Sequence, residues 1–301
     1  MNRQIRTGVI GVGNMGQHHA RIWATMPGSQ FLGVADPNFA WAQEVAGRHN
    51  VPAYADYHEL LRHVEVVSVA APTTLHHEIG LACLRQGIHL LIEKPLAASL
   101  DEARVLTQTA KQAGLVLQVG HVERFNPALE AAAPCVRDPK YIEAVRSSGF
   151  TFRSTDIGVV LDLMIHDLDL VLWMARSPVR KVDAVGFSVL GGHEDVANAR
   201  LEFENGCVAT LSASRVSYEA VRRMHAWSPR GFASIDFASR KTRLVQPSEV
   251  LLRRQFDVGS LSPEEVEHLR THLAEVHLPQ QEFEAAAVDA LALEVEDFVE
   301  S

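Results

Sequence analysis

Along the first 120 residues, short apolar runs alternate with stretches whose apolar positions recur every three or four residues. The short runs are Ile5–Gly11, Phe31–Asp36, Val64–Ala71, Ile88–Glu93 and Leu115–Gly120. They are near-continuously apolar, the mark of strands buried on both faces. Between them, Met15–Met26, Ala40–His49, Leu75–Arg85 and Leu100–Ala113 carry the helical period. Strand and helix in alternation predict a doubly wound α/β domain, a parallel sheet with helices on both sides.

From about residue 140 the pattern changes. Tyr141–Ser147 reads as a strand and Gly158–Ala175 as an apolar helix. The strand-like runs Val182–Leu190, Val196–Glu204, Cys207–Ser217, Arg222–Ser228 and Phe232–Phe237 follow, separated by short turns. Glu204–Gly206 is a typical hairpin connection. These predict an α+β domain on a large open, mainly antiparallel sheet. The charge-rich stretch Leu251–Pro279 reads as helix and loop over that sheet, and the last segment as a helix. The expected division is the α/β domain over 1–122 and the α+β domain over 123–301.

Composition narrows the class without naming a function. The chain of 301 residues is 47 % hydrophobic and 22 % charged, the profile of a globular protein with a sizeable core. Its net charge of −9 argues against nucleic acid and anionic membrane surfaces as partners. No apolar run approaches the roughly 20 residues of a membrane span. Strand-like sequence begins almost at once, so no signal peptide is expected and the protein reads as cytoplasmic. Cys83, Cys135 and Cys207 stand far apart and form neither a zinc knuckle nor a disulfide framework.

Candidate chemistry begins at the first strand. Gly11, Gly13 and Gly16, with Asn14 and Met15 between the last two, form G-x-G-x-x-G at a strand-to-helix turn. The spacing permits a tight turn, lets the backbone approach a pyrophosphate and packs the helix on the strand. Asp36 follows 20 positions beyond Gly16, where a carboxylate receives ribose hydroxyls and repels a 2′-phosphate. Pro37 and Asn38 supply no cation, so the expected cofactor is NAD rather than NADP.

The helix at Gly158–Ala175 holds acids in an apolar frame. At about 3.6 residues per turn, Asp162, His166 and Asp169 lie within about 60° of one another. Asp167 projects away from them and reads as a solvated or capping acid. His166 suits a proton acceptor or donor near neutrality, and Asp162, one turn earlier, can touch substrate or support the imidazolium. Asp169 can hold the helix against the first domain. The plainer alternative is a polar network that only pins two domains. Lys94 follows a buried strand at the carboxyl edge of the parallel sheet, where ligands of such sheets bind. A partly desolvated lysine there can exchange protons near neutrality. Glu93 orients Lys94 or the cofactor. Arg124 can bind an anionic substrate group, or pair with Glu123 or Glu130. Of the 15 histidines, the adjacent pairs His18–His19 and His76–His77 point apart on a helix, and no metal site is expected.

The stretches APTTLHHE (Ala71–Glu78), LIEKPLA (Leu91–Ala97), GHVERFNPA (Gly120–Ala128) and GVVLDLMIHDLDL (Gly158–Leu170) occur in that order. With the glycine loop they resemble the glucose–fructose oxidoreductase / inositol dehydrogenase family over nearly the whole chain. The resemblance implies a Rossmann domain, NAD, and oxidation of a sugar or cyclitol hydroxyl. It implies Lys94, His166 and Asp162 as the reacting set, with Arg124 also near substrate. It places Ala71, Pro72, Thr73, His76 and Glu93 beside the cofactor, with a cis Lys94–Pro95 bond. It also implies a homodimer or homotetramer formed through the second sheet. The resemblance also implies some tens of residues past the final helix, beyond Ser301, where this sequence stops.

Within the family, the stretches look most like the branch that oxidises C3 of UDP-N-acetylglucosamine for a 2,3-diamino sugar of lipid A. A dehydrogenase of a free sugar or an inositol is the nearest alternative. A non-catalytic NAD-sensing regulator is the alternative of another class, and it has no need of Lys94, Asp162 and His166 together.

Overall fold

The computed structural model describes residues 3–133, 137–152 and 155–301. Cys135 lies outside them. The chain forms two compact units, 1–122 with 289–301, and 123–288.

The first unit opens with β1 (Ile5–Ile10), α1 (Gly16–Thr25), β2 (Ser29–Ala35), α2 (Phe39–His49), β3 (Ala53–Tyr54) and α3 (Tyr57–Leu61). It continues through β4 (Val66–Val69), α4 (Thr73–Arg85), β5 (His89–Glu93), α5 (Leu100–Ala113) and β6 (Leu117–Gly120). The six strands run parallel in the order β3-β2-β1-β4-β5-β6. That order reverses direction between β1 and β4, which is where dinucleotides bind in doubly wound sheets. One face of the sheet buries Leu60, Ile79, Leu84 and Leu106 from α3, α4 and α5. The other buries Ala20, Trp23 and Val45 from α1 and α2. Local signals start the helices where the pattern placed them. Ser99 and Glu102 form a reciprocal capping box at the start of α5, and Gly114 ends it in the left-handed region. The short β3 and α3 escape the sequence pattern because two and five residues are too few to show a period.

The second unit begins with a 3-10 turn at Val122–Phe125, α6 (Pro127–Ala132) and β7 (Tyr141–Ser147). A π-helical turn at Val160–Met164 leads into α7 (Ile165–Ala175), followed by β8 (Val179–Phe187) and β9 (Val196–Phe203). Next come β10 (Val208–Ser214), β11 (Val221–Ser228), β12 (Gly231–Asp236) and β13 (Lys241–Val245). The unit closes with α8 (Glu249–Leu252), α9 (Pro263–His277) and β14 (Gln280–Glu284). Eight strands form one sheet, β14-β13-β12-β11-β7-β10-β9-β8, antiparallel except where β7 runs parallel to β10. Strict alternation along β9, β10 and β12 turns Ala199, Leu201, Leu211 and Ile235 onto the face that α6 and α7 cover. α9, expected over this sheet, buries no residue. β13 and β14, outside the sequence prediction, extend the sheet beyond β12.

The last helix, α10 (Ala290–Glu300), belongs to the first unit rather than the second. Its stripe of Leu291, Val295 and Phe298 completes the apolar cluster formed by α1 and α2. Arg21 of α1 pairs with Asp289 at 2.5 Å, and the Gln118 amide donates to the Glu294 carbonyl. Hydrophobic pattern identified the helix, but pattern carries no information about which cluster takes its apolar stripe. Among the described residues, no helix is long and apolar enough to cross a membrane.

Candidate active site

In the first unit, the glycine loop joins β1 to α1. Gly11 has φ +80°, and a Cβ there would press to 2.8 Å against the backbone of Ala70 and Ala71. At Gly16 a Cβ would fall 1.8 Å from the Gly11 carbonyl oxygen. Both sites therefore exclude a side chain, one by conformation and space, the other by space alone. Around Gly13 a Cβ would meet nothing, so the loop leaves its outer side open. Asp36 braces this loop: its carboxylate accepts the Val12 N–H and the Asn38 N–H, each at 2.9 Å. Each oxygen keeps a further lone pair for a ribose hydroxyl.

A cavity of about 560 Å3 runs from this loop between the ends of β1, β2 and β4. Gly11, Gly13, Asp36, Pro72 and Leu75 line it, together with Asp56, Tyr57 and Glu78. Burial, and then the nearby Glu78 carboxylate, raise the Tyr57 hydroxyl pKa above its ordinary value. Among the described residues, no lysine or arginine lines the cavity, so a 2′-phosphate would face carboxylates there without a cation. The open glycine loop, the helix start behind it and the free lone pairs of Asp36 fit a dinucleotide without that phosphate.

Beyond the switch point, β5 ends in Glu93–Lys94–Pro95, and the Lys94–Pro95 bond is cis. Lys94 is half-buried at the carboxyl edge of the sheet. The Glu93 carboxylate accepts the backbone N–H of Lys94 at 3.3 Å and contacts His19 Nε2 at 2.9 Å. Thr73 and His76, in the first turn of α4, are both buried. The His76 ring nitrogens lie 2.8 Å from the carbonyls of Pro95 and Ala71. His76 is thus engaged with backbone on both sides. The sequence reading named His19 only as half of an adjacent histidine pair and gave it no role at the site. Its signal was the phase of α1, where Gly16, His19, Ala20 and Trp23 are buried while His18 is exposed.

In the second unit, Asp162 sits in the π turn and His166 and Asp169 in the first turns of α7, all half-buried. A π turn takes more residues per revolution, so Asp162 departs from the even spacing that a regular helix predicts. Asp169 does not stand alone: Arg124 binds it through two hydrogen bonds of 2.6 Å each. The pair expected for Arg124 was Glu123 or Glu130; its partner is Asp169 instead. The reason is local, since the 3-10 turn at Val122–Phe125 turns Glu123 inward and Arg124 toward α7.

Asp167 corrects the sequence reading. It is 2 % exposed, neither solvated nor capping. It lies in the buried stripe Met164, Asp167, Leu170, Val171, Met174, and Arg146 of β7 meets its carboxylate at 2.9 and 3.1 Å. Arg146, 3 % exposed, also donates to Glu123 at 2.8 Å. Burial works to lower the Arg146 pKa, and the carboxylates of Asp167 and Glu123 outweigh it, so the value is raised and the guanidinium stays charged. An acid away from the polar stripe had been assigned to solvent, whereas the direction away from that stripe is the core.

One histidine pair escaped the sequence reading. His268 and His272 have H-x-x-x-H spacing on α9 and their rings stack at 4.5 Å. Among the described residues, no group of three metal-ligating side chains includes them or occurs elsewhere.

The 3-2-1-4-5-6 sheet, its glycine loop and Asp36 define a dinucleotide-binding domain, and the second unit is the α+β partner that the sequence predicted. Residues 5–121 match the GFO/IDH/MocA oxidoreductase family with an NAD-binding Rossmann fold. Residues 135–232 match the GFO/IDH/MocA C-terminal domain. The chain belongs to this family of NAD-binding oxidoreductases. It is 41 % identical over 234 residues to a UDP-N-acetylglucosamine 3-dehydrogenase of Acidithiobacillus ferrooxidans, covering 77 % of this chain and 74 % of the relative. It is 28 % identical over 236 residues to the scyllo-inositol 2-dehydrogenase (NAD(+)) of Bacillus subtilis, covering 72 % and 69 %. The solved structure of the Acidithiobacillus ferrooxidans UDP-N-acetylglucosamine 3-dehydrogenase aligns with a TM-score of 0.84 at 35 % identity, over 99 % of this chain and 88 % of that one.

Proposed function

We propose that the protein oxidises the C3 hydroxyl of UDP-N-acetylglucosamine with NAD, giving the 3-keto nucleotide sugar. The observation that carries this reading is the 41 % identity to a UDP-N-acetylglucosamine 3-dehydrogenase, against 28 % and 32 % for two inositol dehydrogenases. Gly11, Gly13, Asn14, Met15 and Gly16 would hold the cofactor diphosphate, and Asp36 its ribose. Ala71, Pro72, Thr73, His76 and Glu93 frame its nicotinamide half. When bound, the cofactor supplies the hydride acceptor.

Oxidation of a secondary alcohol also needs a group to take the hydroxyl proton. Lys94 hydrogen-bonds the reacting hydroxyl, His166 receives the proton, and Asp162 holds the sugar or supports the imidazolium. The Arg124–Asp169 pair leaves the guanidinium half-exposed and able to meet a substrate diphosphate. A 3-keto product suits transamination to a 2,3-diamino sugar, the building block of lipid A. We read the protein as cytoplasmic and homo-oligomeric. The open second sheet supports the latter, with Val182, Val185 and Phe187 more than half exposed along its edge strand β8.

The test is a substrate panel followed by NADH formation. UDP-N-acetylglucosamine is expected to react, with a coupled aminotransferase drawing the equilibrium forward. Turnover of free inositols or hexoses alone would refute the nucleotide-sugar assignment. Lys94→Ala and His166→Ala are each expected to lower kcat by about 100-fold or more while NAD still binds. Loss of NAD binding without loss of kcat in the residual holoenzyme would move the chemistry elsewhere.

A further inference from the structure

The chain neighbours of Lys94, Glu93 and Pro95, each meet a buried imidazole that takes no proton in the mechanism above. His19 is the third residue past Gly16, on the face of α1 that meets the sheet, and is 1 % exposed. Its Nε2 lies 2.9 Å from Glu93 Oε1. A carboxylate oxygen accepts, so this nitrogen donates. The other nitrogen, Nδ1, is buried with no hydrogen-bond partner among the described residues. The second oxygen of Glu93 takes the backbone N–H of Lys94 itself. Gly120 on β6 leaves the space this carboxylate occupies, since a Cβ there would stand 3.2 Å from it. On the far side of Lys94, the carbonyl of Pro95 lies 2.8 Å from His76 Nδ1. His76, also 1 % exposed, reaches the Ala71 carbonyl through Nε2 at 2.8 Å.

We propose that His19 and His76 are positioning residues for Lys94, anchoring its peptide N–H through the Glu93 carboxylate to α1, and the carbonyl of the following residue, Pro95, to α4. The peptide N–H of Lys94 is held through Glu93 to the helix that follows the glycine loop. The carbonyl of the next residue meets the buried His76 ring of α4, whose Nδ1 donates to it in the tautomer that carries the proton there. With both anchors made, the Cα–Cβ direction of Lys94 is fixed by three elements of the sheet domain instead of by one free loop. A misplacement of about 1 Å at a reacting group can cost as much as about a hundredfold in rate. A buried ring with one nitrogen unfilled is a placement that packing alone does not favour. Such a departure from local satisfaction is expected where function holds a side chain in place.

This inference rests on reading Lys94 as the residue that meets the reacting hydroxyl, and the experiment separates the two. Lys94→Met, His19→Leu, His76→Leu and His19→Gln are compared for kcat, for both KM values and for NAD affinity, with rates counted per NAD-binding site. Leucine fills the space and donates nothing; glutamine restores one N–H donor toward Glu93. The expected result is a kcat about ten- to a hundredfold lower in both leucine variants, NAD affinity within about threefold of wild type in His19→Leu, and most of that variant's loss recovered in His19→Gln. Wild-type kcat in His19→Leu or His76→Leu, beside an inactive Lys94→Met, overturns the positioning roles. Wild-type kcat in Lys94→Met overturns the reading of Lys94 instead. Should the leucine variants fail to fold, Glu93→Gln decides. It keeps the shape and weakens the His19 bond, so a lowered kcat is expected and an unchanged one overturns the proposal.

Discussion

Asp167 and His166 are neighbours in the chain and meet different surroundings in the fold. His166 is half-buried, while Asp167 is buried and binds Arg146 of the sheet. Breaking a buried pair by removing one partner is costly, because the other charge stays behind in a poor solvent. Asp167→Ala leaves Arg146 with Glu123 alone and is expected to destabilise the second unit by about 3–5 kcal/mol, read by urea unfolding. Replacing both partners with apolar side chains is expected to cost much less. The residue types at this helix were legible in the sequence. Which of them touched solvent was not, because charge alone does not reveal a partner 21 positions upstream on a strand of the sheet.

At the scale of elements, the start of the π turn is held by a loop that sequence pattern left undefined. Arg215, just past β10, binds Asp195 at 2.7 Å and the Ile157 carbonyl at 2.7 Å. Asp195 in turn accepts the N–H groups of Val189 and Leu190, each at 2.7 Å. A Cβ at Gly158 would fall 1.9 Å from the Glu194 carboxylate, so a side chain there would displace the end of Glu194. The backbone N–H of Leu190 foremost, then Arg215 and Val189, depress the Asp195 pKa to about 2. A depressed folded-state value means that this carboxylate contributes stability above the ordinary aspartate range. The contribution fades as pH falls through about 4 toward about 2. Thermal melts of wild type and Asp195→Asn are therefore expected to differ most near neutrality and to converge at the acid end. Curves that stay equally far apart down to about pH 2 would show that Asp195 is not the source of the difference.

For the whole molecule, the chain returns to its first unit at the end. Phe298 is 4 % exposed and packs in the cluster of Trp23 and Val45, nearly the full length of the chain away from them. Phe298→Ala is expected to cost about 3–5 kcal/mol. The loss should appear in the unfolding transition that NAD shifts, since a ligand at about 100 times its Kd stabilises its own domain by about 2.7 kcal/mol. A loss confined to the transition that NAD leaves unmoved would place α10 with the other unit. The exposed apolar edge at β8 is the other feature of this scale, visible only once the strands are ordered.

Much of the protein was determined by local order along the chain. Near-continuous apolar strands alternating with helices specified a parallel sheet, and the glycine spacing with Asp36 specified the cofactor. Period-two strands separated by short turns specified the second sheet. These are statements about neighbours within a few residues, where propensity and burial act directly. Tertiary structure decided the rest: the partners of Asp167, Arg124 and Glu93, the two imidazoles around Lys94, and the unit to which α10 belongs. Each of these depends on residues distant in the chain meeting at hydrogen-bonding or packing distance. Hydrophobic pattern marks which face of an element is buried, but only the assembled fold determines what that face is buried against.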